Sequence, residues 1–345
     1  MGLRDEIFEQ PAAIRRLIET QWPTIRDLGR ELRSMDIDYV YLTARGTSDH
    51  AGFYAKYLWG AYNRWPIALA APSLFSVYRR PPQLTRALVI GISQSGQSPD
   101  IISVMEEGRR QGLPTLAITN APDSPLARVS DWVIDICAGP ERAVAATKSY
   151  TAQLMTIAML SVALEGDEER LTELRRVPDA IAAVLEQDSE IRLLAERYRY
   201  MSQCVVLGRG YNYATAYEWA LKLKELTYVV AVPYSSADFQ HGPVAMVFEG
   251  FPVFVVMPKG AVFDQLYGLA TRLKREQRVE LLVLSNAEQA LDLADRAIAL
   301  PADLAEWVSP IVAIVPGQLV CYHLTRAKGF DTEAPRMLSK VTKTE

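Results

Sequence analysis

The chain contains an internal repeat with a nearly constant offset. The matched residues, each pair 164 positions apart, are Arg45-Gly46 and Arg209-Gly210, Gly96 and Gly260, and Asp131 and Asp295. An Asn-Ala pair at 120–121 recurs at 286–287, as expected if a small insertion lies between the two. Two copies are too few for a solenoid, so the repeat predicts two similar domains.

Short apolar runs alternate with helical stretches in both copies. We expect strands at Tyr39–Leu42, Ala87–Ile92, Thr115–Ile118 and Trp132–Ile136 and, in the second copy, at Cys204–Leu207, Val253–Val256, Glu280–Leu284 and Ala297–Leu300. This alternation is typical of βαβ units. It predicts an α/β protein of two tandem doubly wound, flavodoxin-like domains with mostly parallel sheets.

The expected boundaries follow from this pattern. We place a helical segment at 1–34, the first domain at 35–164, a charged helical connection at 165–199, the second domain at 200–328 and an irregular tail at 329–345.

Composition excludes several classes of partner. With 37 basic and 41 acidic residues, the chain has no excess of basic charge for nucleic acid or an anionic membrane. The three histidines lack metal-ligand spacing, so we expect no metal. We interpret Cys137, Cys204 and Cys321 as reduced core residues. The start is charged and we expect no apolar run to approach the ~20 residues of a membrane span, which predicts a cytoplasmic protein.

A polar loop follows the second predicted strand. After Ile92 the sequence reads SQSGQSP, and we expect Ser98 as the N-cap and Pro99 as the first residue of a helix. Anions bind at the carboxyl ends of parallel strands and at helix N-termini. The loop therefore predicts a phosphate site, with a simple capped turn as the alternative. The candidate donors are Ser93, Gln94, Ser95 and Ser98.

The loop after the first strand has the same character. Thr47 and Ser48 open the helix that carries His50, so two hydroxyl-bearing loops on adjacent strands are suited to grip one phosphate. Neither loop has the lysine spacing of a P-loop or a GxGxxG pattern. Nucleotide binding is therefore not expected.

The predicted helix Ala214–Tyr228 carries a charged face. Glu218, Lys222 and Glu225 follow spacings of four and three. An exposed salt-bridged face is one interpretation. The other is a proton-shuttling carboxylate beside a lysine, because under the 164-residue offset this helix begins at a binding edge of its sheet.

Two histidines have different predicted roles. His241 lies in a loop of turn-forming residues just before Gly242-Pro243, which makes it an acid/base candidate. His323 lies on an apolar helix face, and we assign it to packing.

Seven motifs occur in order along the chain. They are GTS at 46–48, SQSGQS at 93–98, VAATK at 144–148, LGRG at 207–210, EWALKLKELTY at 218–228, HGP at 241–243 and PRMLSK at 335–340. Together they resemble the isomerase half of glutamine:fructose-6-phosphate aminotransferase and its stand-alone relatives, the sugar isomerase (SIS) family. The resemblance covers essentially the whole chain.

The resemblance implies roles for individual residues. Glu225 is implied as the base that moves a proton between C1 and C2, Lys222 as its neighbouring lysine, and His241 as the histidine of ring opening. Lys340 is implied to meet the open-chain carbonyl, on a tail that caps the site. The implied substrate contacts are Thr47, Ser48, Ser93, Gln94, Ser95, Ser98 and Ala145.

The resemblance also implies partners and limits. The counterpart of His241 reaches the site of the other subunit, which implies a homodimer. The glutamine-hydrolysing domain lies outside the matched region, so we expect no glutamine-dependent activity. The chain has Ala146 where the aminotransferases have serine, and Val232 where they have glutamate. Substrate contacts are therefore expected to differ.

The expected chemistry needs neither a metal nor an organic cofactor. The leading hypothesis is a glucosamine-6-phosphate deaminase with aldose–ketose isomerisation, in which a carboxylate moves the C2 proton to C1 and ammonia leaves. The alternatives are a fructosamine-6-phosphate deglycase, a phosphosugar aldose–ketose isomerase, and a sugar-phosphate sensor without turnover. The absence of an evident helix-turn-helix argues against a DNA-binding regulator.

Overall fold

The computed structural model describes residues 2–340. The strands are β1 (Tyr39–Thr43), β2 (Ile67–Leu69), β3 (Ala87–Ser93), β4 (Thr115–Thr119), β5 (Trp132–Asp135), β6 (Gln203–Gly208), β7 (Val230–Ser235), β8 (Pro252–Val256), β9 (Glu280–Ser285) and β10 (Arg296–Ala299).

Helices occupy most of the intervening chain. They are α1 (Leu3–Phe8), α2 (Gln10–Arg33), α3 (Thr47–Leu58), α4 (Ser73–Ser76), α5 (Pro99–Arg110), α6 (Pro125–Arg128), α7 (Lys148–Glu165), α8 (Glu168–Leu185), α9 (Asp188–Arg197), α10 (Tyr213–Lys222), α11 (Ser236–Phe239), α12 (Phe263–Arg272), α13 (Glu288–Leu293) and α14 (Ser309–Ala327).

Each copy of the repeat forms one five-stranded parallel sheet. The strand order is β2-β1-β3-β4-β5 in the first and β7-β6-β8-β9-β10 in the second. This is the flavodoxin-like order, so the predicted fold class is confirmed. In the first sheet Thr43 of β1 pairs with Gly91 of β3. The loops that leave β1 and β3 therefore start side by side.

The sequence analysis missed an edge strand in each sheet. β2 has only three residues, none of them buried, and β7 contains Pro233. Edge strands tolerate proline and need no continuous apolar run, since only one side is hydrogen-bonded to a neighbour. Both strands are apolar in sequence, but Pro66 and Pro72 flank β2 and Pro233 lies within β7, and proline argues against a strand.

A π-helical turn ends the first helix of each copy. The turns are Trp59–Asn63 and Leu223–Thr227, 164 residues apart, and each is followed by a left-handed residue, Arg64 or Tyr228. The predicted single helix to Tyr228 is therefore wrong in detail, because α10 ends at Lys222 and Glu225 lies on the π turn. Since both copies share the turn, it belongs to the fold.

The chain divides into two compact units. The N-terminal unit comprises Ala12–Glu141 and Lys148–Arg176 with Ser339 and Lys340. The C-terminal unit comprises residues 2–11, Arg142–Thr147 and Val177–Leu338. Residues 341–345 of the predicted tail lie outside the described residues.

Each unit has its own apolar core. In the N-terminal unit Val89 and Ala117 of the sheet pack with Val104 of α5 and Leu126 of α6. In the C-terminal unit the strand residues pack with α12, and the buried members include Val205, Val253, Val283, Leu266 and Leu269. Full burial of such side chains contributes about 1.5–3 kcal/mol each, which holds the helices against their sheets.

One helical stretch of the described chain departs from the sequence expectation. Glu306–Ala327 spans 22 residues with a mean hydropathy of 1.4, so by length and composition it reaches the size of a membrane span. All of its apolar window is buried inside the protein, and α14 packs against α9 and α10. It has the surroundings of a core helix.

Candidate functional site

Two loops at the carboxyl edge of the first sheet form a polar cradle. One joins β1 to α3 and the other joins β3 to α5. Gly46 turns the first loop with φ of 53° and ψ of −128°, a conformation that side chains rarely adopt. The turn brings Thr47 to the first position of α3 and buries Ser48 in its first turn.

A buried amide sets the direction of the Ser48 hydroxyl. Gln153 of α7 donates from Nε2 to Ser48 Oγ at 3.0 Å, and Gln153 is 1% exposed. Because the Ser48 oxygen accepts this bond, its own O–H is left to donate to another group. No acceptor for it lies among the described residues, and a phosphate oxygen would serve.

The second loop holds its hydroxyls in the same way. Ser93 Oγ accepts from the Gly96 N–H at 3.1 Å, and Ser95 Oγ accepts from the Gln97 N–H at 3.3 Å. Both oxygens act as acceptors within the loop, so both O–H groups are left as donors. Gly96 has φ of 61°, and a Cβ there would lie 2.0 Å from Ser124 Oγ. The loop thus needs glycine at its centre.

Ser98 confirms one local prediction and adds a detail. It is the N-cap of α5, with Pro99 at the first helical position, but its side chain makes no capping hydrogen bond. The usual reason for serine at an N-cap is that bond. Its half-buried hydroxyl is instead available to a ligand at the helix N-terminus, beside the N–H groups that attract anions.

An ion pair ties the two loops together. Arg45 Nε contacts Asp100 Oδ2 at 2.6 Å, and the Asp100 side chain is 1% exposed. Arg45 precedes Gly46 in the first loop, and Asp100 lies in the first turn of α5. The pair therefore fixes the spacing of the hydroxyl groups that the two loops present.

The corresponding loop of the second copy is closed by the protein itself. It reads MPKGAV at 257–262, without the serines of the first copy. Glu306 Oε2 accepts the N–H of Ala261 at 2.7 Å, and a Cβ at Gly260 would collide with the same carboxylate. An internal carboxylate thus occupies the loop that leads into α12, which favours the first-copy loop as the phosphate site.

A charged cluster is buried in the C-terminal unit. Lys222 Nζ lies 3.3 Å from Glu218 Oε1 and 2.5 Å from Glu225 Oε2. The side chains of Lys222 and Glu218 are 1% and 0% exposed, and that of Glu225 is 22% exposed. The interpretation of these residues as an exposed salt-bridged face is therefore wrong for Glu218 and Lys222. Only Glu225 reaches the surface.

The two carboxylates keep Lys222 charged. Burial alone would lower the pKa of Lys222, but attraction by Glu218 and Glu225 outweighs it and raises the pKa well above its ordinary value. The cluster therefore carries one positive and two negative formal charges. The lysine holds the partly exposed Glu225 carboxylate in place through their direct contact.

The fold does not require these charges. The positions 164 residues earlier, in the helix and π turn of the first copy, are occupied by Tyr54, Leu58 and Ala61. Tyr54 and Leu58 are completely buried there. The same backbone is thus filled by uncharged side chains in one copy and by ions in the other, which points to a functional reason for the ions.

The other predicted residues have separate surroundings. His241 is exposed in the turn after α11, and its side chain makes no hydrogen bond with any described residue. Ala145 is buried in the short segment 142–147. This segment is anchored by Glu6, whose carboxylate accepts the N–H groups of Arg142 and Ala143.

The predicted residues divide between the two units. Thr47, Ser48, Ser93, Gln94, Ser95, Ser98 and Lys340 belong to the N-terminal unit, and Ala145, Lys222, Glu225 and His241 belong to the C-terminal unit. Lys340 Nζ lies 2.8 Å from Glu141 Oε2. Among the described residues, no group of three or more His, Cys, Asp and Glu side chains is arranged to hold a metal ion.

Sequence reasoning missed several polar residues around these groups. Glu141 immediately precedes the segment 142–147, and Gln153 lies within the apolar helix α7, where a polar residue was a usable signal. His323 is more than a packing residue, because its Nε2 lies 2.7 Å from Asp188 Oδ1. Cys137 is partly exposed, so its assignment to the core is wrong, whereas Cys204 and Cys321 are buried.

Fold and site together define a class. The chain is a tandem doubly wound α/β protein with a hydroxyl-rich loop at the carboxyl edge of its first sheet and a buried ion cluster in its second domain. The SIS-domain family matches residues 36–163 and 200–326, so the chain belongs to this family and carries the domain twice.

Similar proteins include the glutamine–fructose-6-phosphate aminotransferase [isomerizing] of a Thermus thermophilus strain, which is 35% identical over 350 residues. The match covers 97% of this chain and 57% of that protein, so the chain spans somewhat more than half the length of this relative.

Two solved structures are also similar. The C-terminal domain of glucosamine-fructose-6-phosphate aminotransferase from Francisella tularensis has a TM-score of 0.88 at 29% identity, covering 96% of this chain and 98% of that one. A protein proposed to be a phosphosugar isomerase, from Silicibacter pomeroyi DSS-3, has a TM-score of 0.86 at 33% identity, covering 96% and 100%. The chain is thus related to the isomerase half of the aminotransferase.

Proposed function

We propose that this chain is a phosphosugar isomerase that converts glucosamine 6-phosphate and water to fructose 6-phosphate and ammonia. The observation that carries the proposal is the Glu218–Lys222–Glu225 cluster. Its ions replace uncharged residues of the first copy, and only Glu225 is open to solvent. A buried lysine that fixes a partly exposed carboxylate is suited to proton transfer between carbon atoms.

The phosphate loops supply the substrate grip in this proposal. The O–H groups of Ser48, Ser93 and Ser95 are left as donors by the bonds that their oxygens accept. Neutral donors and a helix N-terminus bind a dianion without a metal. The similarity to aminotransferases named for fructose 6-phosphate supports a sugar phosphate as the ligand.

The proposed reaction begins with the ring-closed amino sugar phosphate. His241 assists ring opening of the amino sugar, and Glu225 removes the C2 proton of the open-chain aldehyde. The aldehyde oxygen gains a proton and the amine nitrogen loses one, so that return of the C2 proton to C1 gives an alcohol at C1 and an imine at C2. Water adds to the imine carbon and ammonia leaves, which yields fructose 6-phosphate. Lys340 is assigned to the open-chain carbonyl.

We also propose a cytoplasmic homodimer. Exposed His241, without a side-chain hydrogen bond to any described residue, is available to act in a partner subunit. Light scattering of the purified chain tests the dimer. A monomer that remains fully active would contradict this part of the proposal.

The activity is tested by incubating the purified chain with glucosamine 6-phosphate and measuring ammonia and fructose 6-phosphate. Equal amounts of both products are expected. Interconversion of fructose and glucose 6-phosphates without ammonia from the amino sugar would instead indicate an aldose–ketose isomerase. Tight binding of the sugar phosphate without any product would indicate a sensor.

A further inference from the structure

We propose that Glu141 is a positioning residue that holds the amine of Lys340 at the reacting carbonyl. The inference rests on the proposed function, in which Lys340 meets the open-chain sugar. The Glu141 side chain is 0% exposed and that of Lys340 is 25% exposed. Glu141 Oε2 accepts from Lys340 Nζ at 2.8 Å.

The carboxylate is fixed by groups other than the lysine. Glu141 Oε1 accepts the Ser149 N–H at 3.0 Å, and Oε2 accepts the Ser149 hydroxyl at 2.7 Å. Ser149 is the second residue of α7, so the carboxylate lies at a helix N-terminus, where a negative charge is stabilised. The anion is therefore built within the unit, and a lysine 199 residues further along the chain docks onto it.

This arrangement does more than cap a helix. The hydrogen bond that the Ser149 N–H donates to Glu141 is sufficient to cap the helix, and capping requires no lysine from the tail. A lysine side chain carries about 2 kcal/mol of rotamer entropy, so without an acceptor its amine would sample many positions. Reacting atoms must come within about 3–3.5 Å, and a misplacement of about 1 Å can cost about 100-fold in rate.

The proposal predicts a specific pattern of kinetics. Glu141→Gln keeps the shape of the side chain and one oxygen for the Ser149 N–H, but it removes the charge that holds the ammonium. We expect kcat to fall by about 10–100-fold with KM little changed. Ser149→Ala, the matched control, leaves the carboxylate beside Lys340 and should have the smaller effect.

A double-mutant cycle separates positioning from structural damage. Lys340→Met leaves Glu141 and its helix contacts in place. If Glu141 acts through Lys340, the double variant should be no slower than Lys340→Met alone. Additive losses of rate would show that Glu141 acts elsewhere and would overturn the proposal.

The contact itself is tested without any substrate. The wild-type chain and Glu141→Gln are labelled with trinitrobenzenesulfonate, and modification of each lysine is followed by mass spectrometry. Lys340 should react several-fold faster in the variant, while exposed Lys56 and Lys224 react equally in both. Unchanged labelling of Lys340 would overturn the proposal, and so would faster labelling with unchanged kcat. A wild-type chain without turnover would overturn the proposed function, whereas the labelling result decides the contact separately.

Discussion

Replacement of Lys222 by methionine gives the sharpest stability test of the buried cluster. Methionine fills a similar volume but leaves Glu218 and Glu225 without their cation, and Glu218 is 0% exposed. At an effective dielectric constant of about 20, unit charges at such a contact attract by about 5 kcal/mol before desolvation is counted. Removal of one partner of a buried pair typically costs about 3–5 kcal/mol.

We therefore expect Lys222→Met to lower the free energy of unfolding by about 3–5 kcal/mol at about pH 7, measured by urea titration. Adding Glu218→Gln should recover part of the loss, because it removes the deeper of the two uncompensated charges. Lys274→Met is the matched control. Its pair with Asp295 is 29% and 38% exposed, so its removal should cost less than about 1 kcal/mol. Equal losses for Lys222→Met and Lys274→Met would refute the reasoning.

Three further predictions address the phosphate loops and a second ion pair. Ser95→Ala and Thr47→Ala should each raise KM more than they lower kcat, and the rise in KM should be equivalent to about 1.5–3 kcal/mol of lost binding free energy. Ser103→Ala in α5 is the control. An unchanged KM in both loop variants would place the phosphate elsewhere. Gly96→Ala should destabilise the chain and abolish phosphate binding, because the new Cβ would meet Ser124 Oγ at 2.0 Å. The control Gly112→Ala, with φ of 75° and no atom within 4 Å of the new Cβ, should cost only backbone strain. Equal losses of stability and of phosphate binding in both variants would contradict the steric account. Burial alone would raise the pKa of Asp188, but hydrogen bonds from Arg4 and His323 outweigh burial and lower the pKa. The ionised Asp188 therefore stabilises the folded chain at pH values above the ordinary pKa of 3.8, and this stabilisation is lost as the pH falls through the lower pKa of the folded state. Asp188→Asn should therefore be less stable than the wild type at neutral pH in urea titrations, and the difference should shrink below pH 3.8; a pH-independent difference would contradict this assignment.

Much of the fold could be predicted because burial on both faces leaves a visible pattern. The inner strands β3 and β8 are apolar over nearly their whole length, so their positions emerged with errors of one residue. The edge strands β2 and β7 are only partly buried, and the prolines beside and within them argue against strands. The π turn before Tyr228 was hidden as well, since a helix that widens for one turn keeps the composition of an ordinary helix.

The candidate site was predictable where local sequence determines geometry. The Ser98-Pro99 helix start and the glycine at the centre of the loop follow from neighbouring residues alone. Glu141 was not predictable in this way, because its partner Lys340 lies 199 residues away. Burial of Glu218 and Lys222 was equally hidden, since spacings of four and three are the same on an exposed face and on a buried one.

The central claim is that Glu225 is the base of a proton-transfer enzyme, and solvent exchange at C2 tests it most directly. Glucosamine 6-phosphate is incubated in deuterated water with the wild type and with Glu225→Gln, and deuterium at C2 is measured by mass spectrometry. The wild type should incorporate deuterium, and the variant should bind the sugar while exchanging about 10²–10⁴-fold more slowly. Equally fast exchange in the variant would contradict the account.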